Sequence, residues 1–303
     1  MSRRVALIVN PTSGGGRGAE RGRAAYDRLV ADGHDVVDVS GRDYADALSK
    51  GRRAVADGVD TLVVVGGDGL AHLGVNLCAG TDTRLAVVAA GTGNDFARNL
   101  GLPLGDATAA AALVSEGGTR TVDAGRVTSG PDAGRWFGGV LGAGFDAVVN
   151  ARAARMRWPR GQARYALAVL RELPVFRPIP YVVELDGVRL ETRAMLVAVA
   201  NTASFGGGMR VCPDADVSDG LLDVLVLHEV STAAFLRVFP SVYRGAHVDH
   251  PAVEIRRARR VRLEATGITA QADGEPFSAL PLDVEVVPGA LRTVAPARER
   301  MGP

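Results

Sequence analysis

Two short glycine-rich motifs carry the side chains of this sequence that are best suited to chemistry. Gly66-Gly67-Asp68-Gly69 and Gly91-Thr92-Gly93-Asn94-Asp95 each follow a short apolar run. Glycine lets the backbone approach a polyphosphate closely, and a carboxylate beside it can hold Mg²⁺ directly or through water. A plain Asp-Gly turn or an ordinary helix N-cap would produce the same patterns. Neither motif alone decides the function.

A third glycine-rich segment, Asn10-Pro11-Thr12-Ser13-Gly14-Gly15-Gly16, follows the first apolar run. It offers several unhindered backbone N–H groups just before a predicted helix, an arrangement that binds anions. No Gly-Lys-Ser/Thr follows, so it is not a Walker A loop, and no G-x-G-x-x-G stands in the dinucleotide-binding position. A simple turn explains the segment equally well.

The elements that must position these loops alternate between strand and helix over the first 123 residues. Continuous Val/Leu runs separated by helical stretches predict an α/β domain with a parallel sheet covered on both faces. Ligands of such sheets bind beyond the carboxyl ends of the strands, where three of the four loops here are glycine-rich. We predict strands at 5–9, 36–39, 61–65 and 85–89 and helices at 19–31, 44–56 and 71–79.

The pattern changes after Asp123. Short strand-like runs and the two-residue turn Asp186-Gly187 predict an antiparallel β-rich domain over 124–287. Two helical inserts are expected near 146–173 and 233–243, and residues 288–300 are expected to return to the first domain. The predicted fold class is therefore an α/β domain with a parallel sheet, followed by an antiparallel β-rich domain.

Composition limits the kinds of partner. The 303 residues are 47% apolar and 23% charged, with a formal net charge of +1, so no global field favours nucleic acid. Cys78 and Cys212 have no metal-ligand spacing and are expected to be buried thiols in a reducing compartment. No apolar run approaches the ~20 residues of a membrane-spanning helix, so we expect a cytoplasmic protein.

As a set, the motifs resemble those of the diacylglycerol kinase catalytic-domain family of soluble bacterial lipid kinases. The resemblance rests on Asn-Pro-x-Ser-Gly, Gly-Gly-Asp-Gly, Gly-Thr-Gly-Asn-Asp-Phe-Ala-Arg and Asp-Gly-Glu at 273–275, and it extends over nearly the whole chain. The stretch Arg155-Met156-Arg157-Trp158-Pro159 is similar to actinobacterial members. The resemblance implies an NAD kinase/diacylglycerol kinase-like sheet in the first domain and an active site in the cleft between the two domains. It also implies an ATP-dependent kinase that phosphorylates diacylglycerol to phosphatidic acid.

The resemblance also implies roles for individual residues. The ATP-contacting set would be Asn10, Ser13, Gly14, Gly67, Gly69, Thr92 and Asn94. Asp68, Asp95 and Asp123 would surround the catalytic Mg²⁺ through water, because three converging carboxylates repel one another unless a dication neutralises them. Glu275 would be the general base that takes the proton of the lipid hydroxyl. A turn carboxylate at Asp123 and an exposed hairpin Glu275 are the alternative interpretations.

A second, structural Mg²⁺ is implied at Asp216, Asp219 and the carbonyl of Leu221. Two carboxylates three residues apart beside a glycine suit a hard cation, although a polar turn would also use them. Ser218 stands where relatives often carry a third acid.

Contact with the membrane is expected to be transient. Arg152, Arg155, Arg157, Arg160 and Arg164, with Trp158 among them, form either a solvated basic face or a surface for anionic headgroups at the inner membrane face. Arg17, Arg21 and Arg23 could add to that surface. Exposed edges of the β-rich domain are also compatible with a homodimer.

Three other functions share part of this pattern. An NAD kinase shares Gly-Gly-Asp-Gly but needs an Asn-Glu pair, and the sequence contains no Asn-Glu dipeptide. A lipid kinase with another acceptor, such as a sphingoid base or a phosphatidyl lipid, and a nucleotide- or lipid-binding pseudokinase remain open. Leu70 and Leu73 depart from the Thr and Glu common in relatives, although sphingosine kinases also carry Leu after Gly-Gly-Asp-Gly.

Overall fold

The computed structural model describes residues 2–145, 147–149, 152, 156, 158, 167, 168, 171, 172 and 176–296. The chain forms two units. The α/β unit contains the residues up to Val122 and those from Gly289 onward, and the antiparallel unit contains Asp123–Pro288.

The α/β unit is built on a parallel sheet. Its strands are β1 Arg4–Val9, β2 Asp35–Asp38, β3 Thr61–Gly66, β4 Arg84–Ala89 and the last part of β15 Leu282–Ala295. They lie in the order β15-β4-β3-β1-β2, with β15 joined to β4 through Thr293 and Leu85. Every residue of β3 and β4 is buried, which accounts for their continuous apolar sequences.

Helices follow these strands, and aspartate N-caps mark where two of them begin. They are α1 Ser13–Gly16, α2 Gly18–Ala31, α3 Tyr44–Ala56, α4 Asp68–Cys78, α5 Asp95–Asn99 and α6 Ala107–Glu116. Asp43 caps α3 by accepting the N–H of Asp46, and Asp106 caps α6 through Ala109. Helix α6 was not among the predicted helices, because its alanine-rich stretch has no clear polar face.

The antiparallel unit begins within β5 Gly118–Val127. Its further strands are β6 Trp136–Phe137, β7 Val140–Gly144, β8 Ile179–Leu185, β9 Val188–Ala200, β10 Leu222–His228, β11 Val253–Ala258, β12 Arg260–Glu264, β13 Thr269–Ala272 and β14 Glu275–Ala279. The order β14-β13-β7-β9-β8-β12-β15 is antiparallel at its described pairs, and β10 lies between β9 and β11. The predicted fold class of both parts is confirmed.

Hairpin turns fix the register of this unit. Asp186 and Gly187 have φ angles of 49° and 89° and join β8 to β9, as the Asp-Gly dipeptide predicts. Asp273 and Gly274, with φ angles of 54° and 85°, make the same kind of turn between β13 and β14. Glu275 is therefore the first residue after a tight turn.

Helical structure in the antiparallel unit is short where it is described. Helix α7 Thr232–Val238 is followed by 3₁₀ helices at Phe239–Arg244 and Ala246–Asp249, in the region of the second predicted insert. Most of the first predicted insert, near 146–173, lies outside the described residues. No described helix is long and apolar enough to cross a bilayer.

Candidate active site

The Asp68 side chain holds the ends of β3 and β4 together within the α/β unit. Its Oδ1 accepts the N–H of Asp95 at 2.7 Å, and its Oδ2 accepts the N–H of Asn94 at 2.8 Å. Asp68 is the first residue of α4, so its charge also lies at the positive end of that helix. The carboxylate therefore fixes the loop 91–95 against the loop 66–69.

Glycine is required where the two loops meet. A Cβ atom added to Gly91 would lie 2.4 Å from the Cα of Gly67, and one added to Gly93 would lie 2.6 Å from the Oδ2 of Asp68. Both separations are far below van der Waals contact. The glycines noted in the sequence are therefore packing requirements of the loop pair, and the same close approach leaves backbone groups accessible to a ligand.

Electrostatics at the loop pair favour a bound cation. Burial, followed by the negative charge of Asp95, raises the pKa of Asp68 to about 6, even though the backbone N–H groups of residues 94–96 oppose that shift. Asp95 itself is 9% exposed. The two carboxylates lie close together, and the raised pKa of Asp68 means that its negative charge is disfavoured there. A bound dication would stabilise the ionised form of both groups.

Asn94 shapes the second loop from inside. It takes a left-handed conformation (φ 55°), and its side chain exchanges hydrogen bonds with Gly91, from the Gly91 N–H to Oδ1 at 2.9 Å and from Nδ2 to the Gly91 carbonyl at 3.0 Å. Thr92 is exposed at the tip of the same loop. Asn94 therefore has a structural role that does not exclude the predicted contact with ATP.

The loop after β1 packs on the end of β4. A Cβ at Gly14 would lie 2.2 Å from the Ala90 carbonyl oxygen, and Gly14 has a φ of 60°. Both the close contact and the left-handed backbone conformation therefore favour glycine at this position. The Oδ1 of Asn10 accepts both the N–H and the hydroxyl of Thr12, at 3.1 and 2.8 Å. Ser13 is half-buried beside them. The α/β unit thus gathers all of the predicted ATP-contacting residues into three loops at the carboxyl ends of β1, β3 and β4.

The two departures from relatives fit this unit as apolar packing residues. Leu73 is fully buried, and a Cβ at Gly66 would lie 2.8 Å from the Cβ of Leu70. Leu70 therefore packs on the end of β3.

The predicted residues of the antiparallel unit form a second cluster. Asp123 is 3% exposed, and its Oδ2 accepts the N–H of Gly220 at 2.7 Å. The Asp123 N–H donates to the carbonyl of Val217 at 2.7 Å. Asp123 therefore anchors the loop that contains Asp216 and Asp219, a link that spacing along the chain did not reveal.

Glu275 is positioned by its neighbour Asp273. The Asp273 carboxylate accepts the N–H groups of Gly138 (3.0 Å), Gly139 (2.8 Å) and Val140 (3.2 Å). The turn that precedes Glu275 is thus bound to the start of β7. Glu275 is half-buried, and no described residue donates a hydrogen bond to its carboxylate in the structure.

Asn201 joins Asp123 to that same segment. Its Nδ2 donates to the carbonyl oxygens of Asp123 and Gly138, both at 2.9 Å, and the residue is 2% exposed. Its Oδ1 is buried and has no described partner. Sequence reasoning missed Asn201, and it also missed the glycine triplet 206–208, in which every residue has a positive φ. That triplet was the available signal for a constrained loop.

In the predicted second metal site, each aspartate accepts hydrogen bonds from the residue two positions further along the chain. Asp216 Oδ1 accepts the N–H and hydroxyl of Ser218, at 2.9 and 2.7 Å, and Asp219 Oδ1 accepts the N–H of Leu221 at 3.0 Å. Within the part of the chain that is described, no group of three or more His, Cys, Asp or Glu side chains is placed to hold a metal. Both metal assignments therefore stay predictions.

Several arginines of the predicted basic surface have partners in the protein. Arg21 donates to the carbonyl of Ala89 at 2.7 Å, Arg23 pairs with Asp27 at 3.4 Å and Arg152 pairs with Glu172. Trp158 is 78% exposed. Arg155, Arg157, Arg160 and Arg164 lie outside the described residues.

Comparison with known proteins agrees with this architecture. The family described as "Diacylglycerol kinase catalytic domain" matches residues 4–127, and the one described as "YegS C-terminal NAD kinase beta sandwich-like domain" matches residues 139–295. A diacylglycerol kinase of Mycobacterium tuberculosis is 42% identical over 97% of this chain and 95% of its own length. One from Bacillus subtilis is 30% identical, with 92% of each chain covered.

Solved structures show the same fold. The crystal structure of a diacylglycerol kinase from Bacillus anthracis superimposes with a TM-score of 0.73 at 23% identity and covers 97% of both chains. An NAD kinase from Archaeoglobus fulgidus, solved in complex with ATP, reaches a TM-score of 0.51 at 13% identity over 96% of this chain and 93% of its own.

These matches define the class of protein as a phosphotransferase with an alcohol acceptor. The chain belongs to the diacylglycerol kinase family. The family predicted from the motifs is confirmed.

Proposed function

We propose that this protein transfers the γ-phosphoryl group of ATP to the free hydroxyl of diacylglycerol, giving phosphatidic acid and ADP. The observation that carries the proposal is the Asp68 carboxylate, which ties two glycine-rich loops together beside Asp95. Support for the acceptor comes from the relatives from M. tuberculosis and B. subtilis, both called diacylglycerol kinase.

An apolar pocket in the antiparallel unit supports a lipid acceptor. Its lining is almost entirely aliphatic and aromatic, and α7 and the following 3₁₀ helix form one wall. Phe235 contributes to that wall, with its ring centroid 5.5 Å from that of Phe145 and 5.4 Å from that of Phe239. Such a lining suits an acyl chain, since burial of each methylene contributes about 0.8 kcal/mol.

Mg²⁺ would be surrounded by Asp68, Asp95 and Asp123, which would be linked to it through water. The fit rests on two carboxylates that lie close together, since a Cβ at Gly93 would lie 2.6 Å from the Oδ2 of Asp68 and 3.5 Å from the Oδ2 of Asp95. Burial and the charge of Asp95 raise the pKa of Asp68, which agrees with such a pair. Bound with ATP, Mg²⁺ would offset the charge of the phosphates. In the proposed mechanism Glu275 accepts the hydroxyl proton as the lipid oxygen forms its bond to the γ-phosphorus. The bond from that phosphorus to the bridging oxygen breaks, and ADP leaves with the electron pair.

The backbone N–H groups of the glycine loops would bind and orient the triphosphate. Asp273 and Asn201 would keep Glu275 and Asp123 in place, because both connect to the 138–140 segment. Protein contact with the membrane would be transient, at the inner face, since the lipid hydroxyl must be reached from the bilayer surface. The exposed Trp158 is the described residue that best supports such contact.

A panel of lipid acceptors tests the proposal. Purified protein is given radiolabelled ATP, Mg²⁺ and mixed micelles that contain diacylglycerol, a sphingoid base, a phosphatidyl lipid or no lipid. Label in phosphatidic acid and in no other lipid is the expected result. Transfer mainly to another lipid would replace diacylglycerol as the acceptor, and transfer to none would make the protein a pseudokinase.

A further inference from the structure

The amino ends of the strands in the α/β unit carry a polar cavity. It has a volume of about 600 Å³, and its charged lining comprises Arg3, Arg84, Arg292, Asp60 and Asp82. Arg84 begins β4, whereas the glycine-rich loops follow the other end of that strand. Five residues of extended chain separate the two ends by roughly 17 Å. The cavity is therefore distinct from the candidate ATP site.

Among the described residues, Arg84 is a buried cation without an anionic partner. It is 7% exposed, and its Nη2 donates to the neutral hydroxyl of Thr61 at 2.7 Å. No described carboxylate forms an ion pair with its guanidinium group. Buried charges in proteins are normally paired, because removing an ion from water costs several kcal/mol. A guanidinium group also presents five donors, of which the described protein acceptors use one.

The surroundings of Arg84 add positive charge. Burial, and then the charge of Arg3, lower the pKa of Arg84 below its usual value, with a further contribution from Arg292 and an opposing one from Asp60. The two acids that line the cavity have other partners. Asp60 accepts the backbone N–H of Arg4 at 2.8 Å, and Asp82 accepts from Arg292 at 3.2 Å.

We propose that this cavity binds a phosphate monoester, with Arg84 as the central ligand and Arg3 at its side. Arginine donors suit the several oxygens of a phosphate group, and hydrogen bonds between charged groups are about twice as strong as neutral ones. The bound anion supplies the charge that no described residue pairs with Arg84. The site goes beyond the proposed phosphoryl transfer and does not depend on it.

Thermal unfolding in the presence of inorganic phosphate tests the site. A ligand that binds the folded protein raises the melting temperature as its concentration rises. Phosphate is titrated against chloride at matched ionic strength, with the wild type and Arg84→Met. The wild type is expected to be stabilised by phosphate, and Arg84→Met is expected to lose at least about tenfold in apparent affinity. Stabilisation by ATP with Mg²⁺ should persist in the variant.

Two further variants distinguish loss of phosphate binding from a general loss of stability. Arg3→Gln removes the neighbouring cation and is expected to weaken the phosphate effect several-fold while leaving the fold intact. Arg23→Gln is the matched control, because Arg23 is an exposed arginine of the same unit, and it should respond to phosphate as the wild type does. Without phosphate, Arg84→Met should melt no lower than the wild type, because it removes a buried charge that lacks a described counter-ion.

The source of the phosphate group is decided with vesicles. Phosphatidylcholine vesicles with and without phosphatidic acid are sedimented with each protein. Arg84-dependent binding to phosphatidic acid identifies a lipid headgroup, and phosphate binding without it identifies a soluble ligand. Equal phosphate stabilisation of the wild type and Arg84→Met, no stabilisation of either, or a large loss of stability in phosphate-free Arg84→Met would overturn the proposal.

Discussion

The Asp68 Oδ1 accepts the backbone N–H of Asp95 at 2.7 Å, so a carboxylate at the end of β3 holds the loop that follows β4. The adjacent Asn94 N–H is bound by Oδ2. Asp68 therefore shapes the two glycine-rich loops, and in the proposed mechanism it also supplies charge for a cation.

The substitution Asp68→Asn separates shape from charge. The amide side chain would keep one acceptor for the backbone N–H groups and lose the negative charge. We expect the fold to persist and kcat to fall roughly 10²–10³-fold, the scale of losing one electrostatic contributor to the transition state. Circular dichroism checks the fold and steady-state assays the rate. A variant within about twofold of wild-type kcat would show that the Asp68 charge has no part in transfer.

Gly91→Ala tests the close approach of the two glycine-rich loops. The added methyl would lie 2.4 Å from the Gly67 Cα, so the loops must separate. We expect ATP affinity to fall about tenfold or more, measured by calorimetry, with a lower melting temperature. Gly105→Ala is the control, because a Cβ there meets nothing within 4 Å. Equal ATP affinity for the two variants would contradict the role of the loop contact.

Asp273→Ala tests the anchor beneath Glu275. It removes the acceptor of three backbone N–H groups at 138–140, which we expect to destabilise the protein by about 2–4 kcal/mol. It should also lower kcat, because Glu275 loses its fixed position. Asp273→Asn keeps one acceptor and tolerates the positive φ, so its loss should be smaller. Denaturant unfolding measures the free energy of unfolding of each variant. Identical unfolding curves for Asp273→Ala and the wild type would show that Asp273 does not anchor residues 138–140.

His247 predicts how stability depends on pH. Burial lowers the pKa of His247 below 6.5, although the bond to the Val211 carbonyl opposes the shift. Nε2 lies 3.0 Å from that carbonyl oxygen and Nδ1 is buried without a described partner, so a second ring proton would have no described acceptor. The folded state therefore binds the proton less readily than the unfolded state does.

It follows that stability contributed by neutral His247 is complete above about pH 6.5 and declines as the pH falls towards its folded pKa. His247→Gln should make the melting temperature depend less on pH between about pH 5 and pH 7. His250→Gln serves as the nearby control. An unchanged slope in His247→Gln would assign the acid sensitivity to other groups.

The sequence predicted the α/β unit well because its signals are local. Buried strands such as β3 are continuous apolar runs, and the Asp186-Gly187 turn specifies a hairpin by backbone conformation alone. Helix α6 escaped prediction because an alanine-rich helix lacks an amphipathic pattern. Candidate site residues were predicted where glycine and acid stand side by side, as at Asp68, and they stay predictions.

Residues whose roles arise from distant contacts could not be found in this way. Asn201 binds the carbonyls of Asp123 and Gly138, which are 78 and 63 residues away. Asp273 was part of a recognised motif, but its anchoring of residues 138–140 depends on the pairing of β13 with β7. In the sequence, Arg84 is an ordinary arginine at the start of a strand, and its burial is evident only in the structure.

Single-turnover transfer from ATP to diacylglycerol by Glu275→Gln tests the central claim most directly. The exposed Glu191→Gln is the matched control, since Glu191 pairs only with a neighbouring arginine among the residues described. We expect a rate roughly 10²–10⁴-fold below the wild type for Glu275→Gln, with ATP binding retained and Glu191→Gln unaffected. A wild-type rate in Glu275→Gln would contradict the assignment of Glu275 as the base.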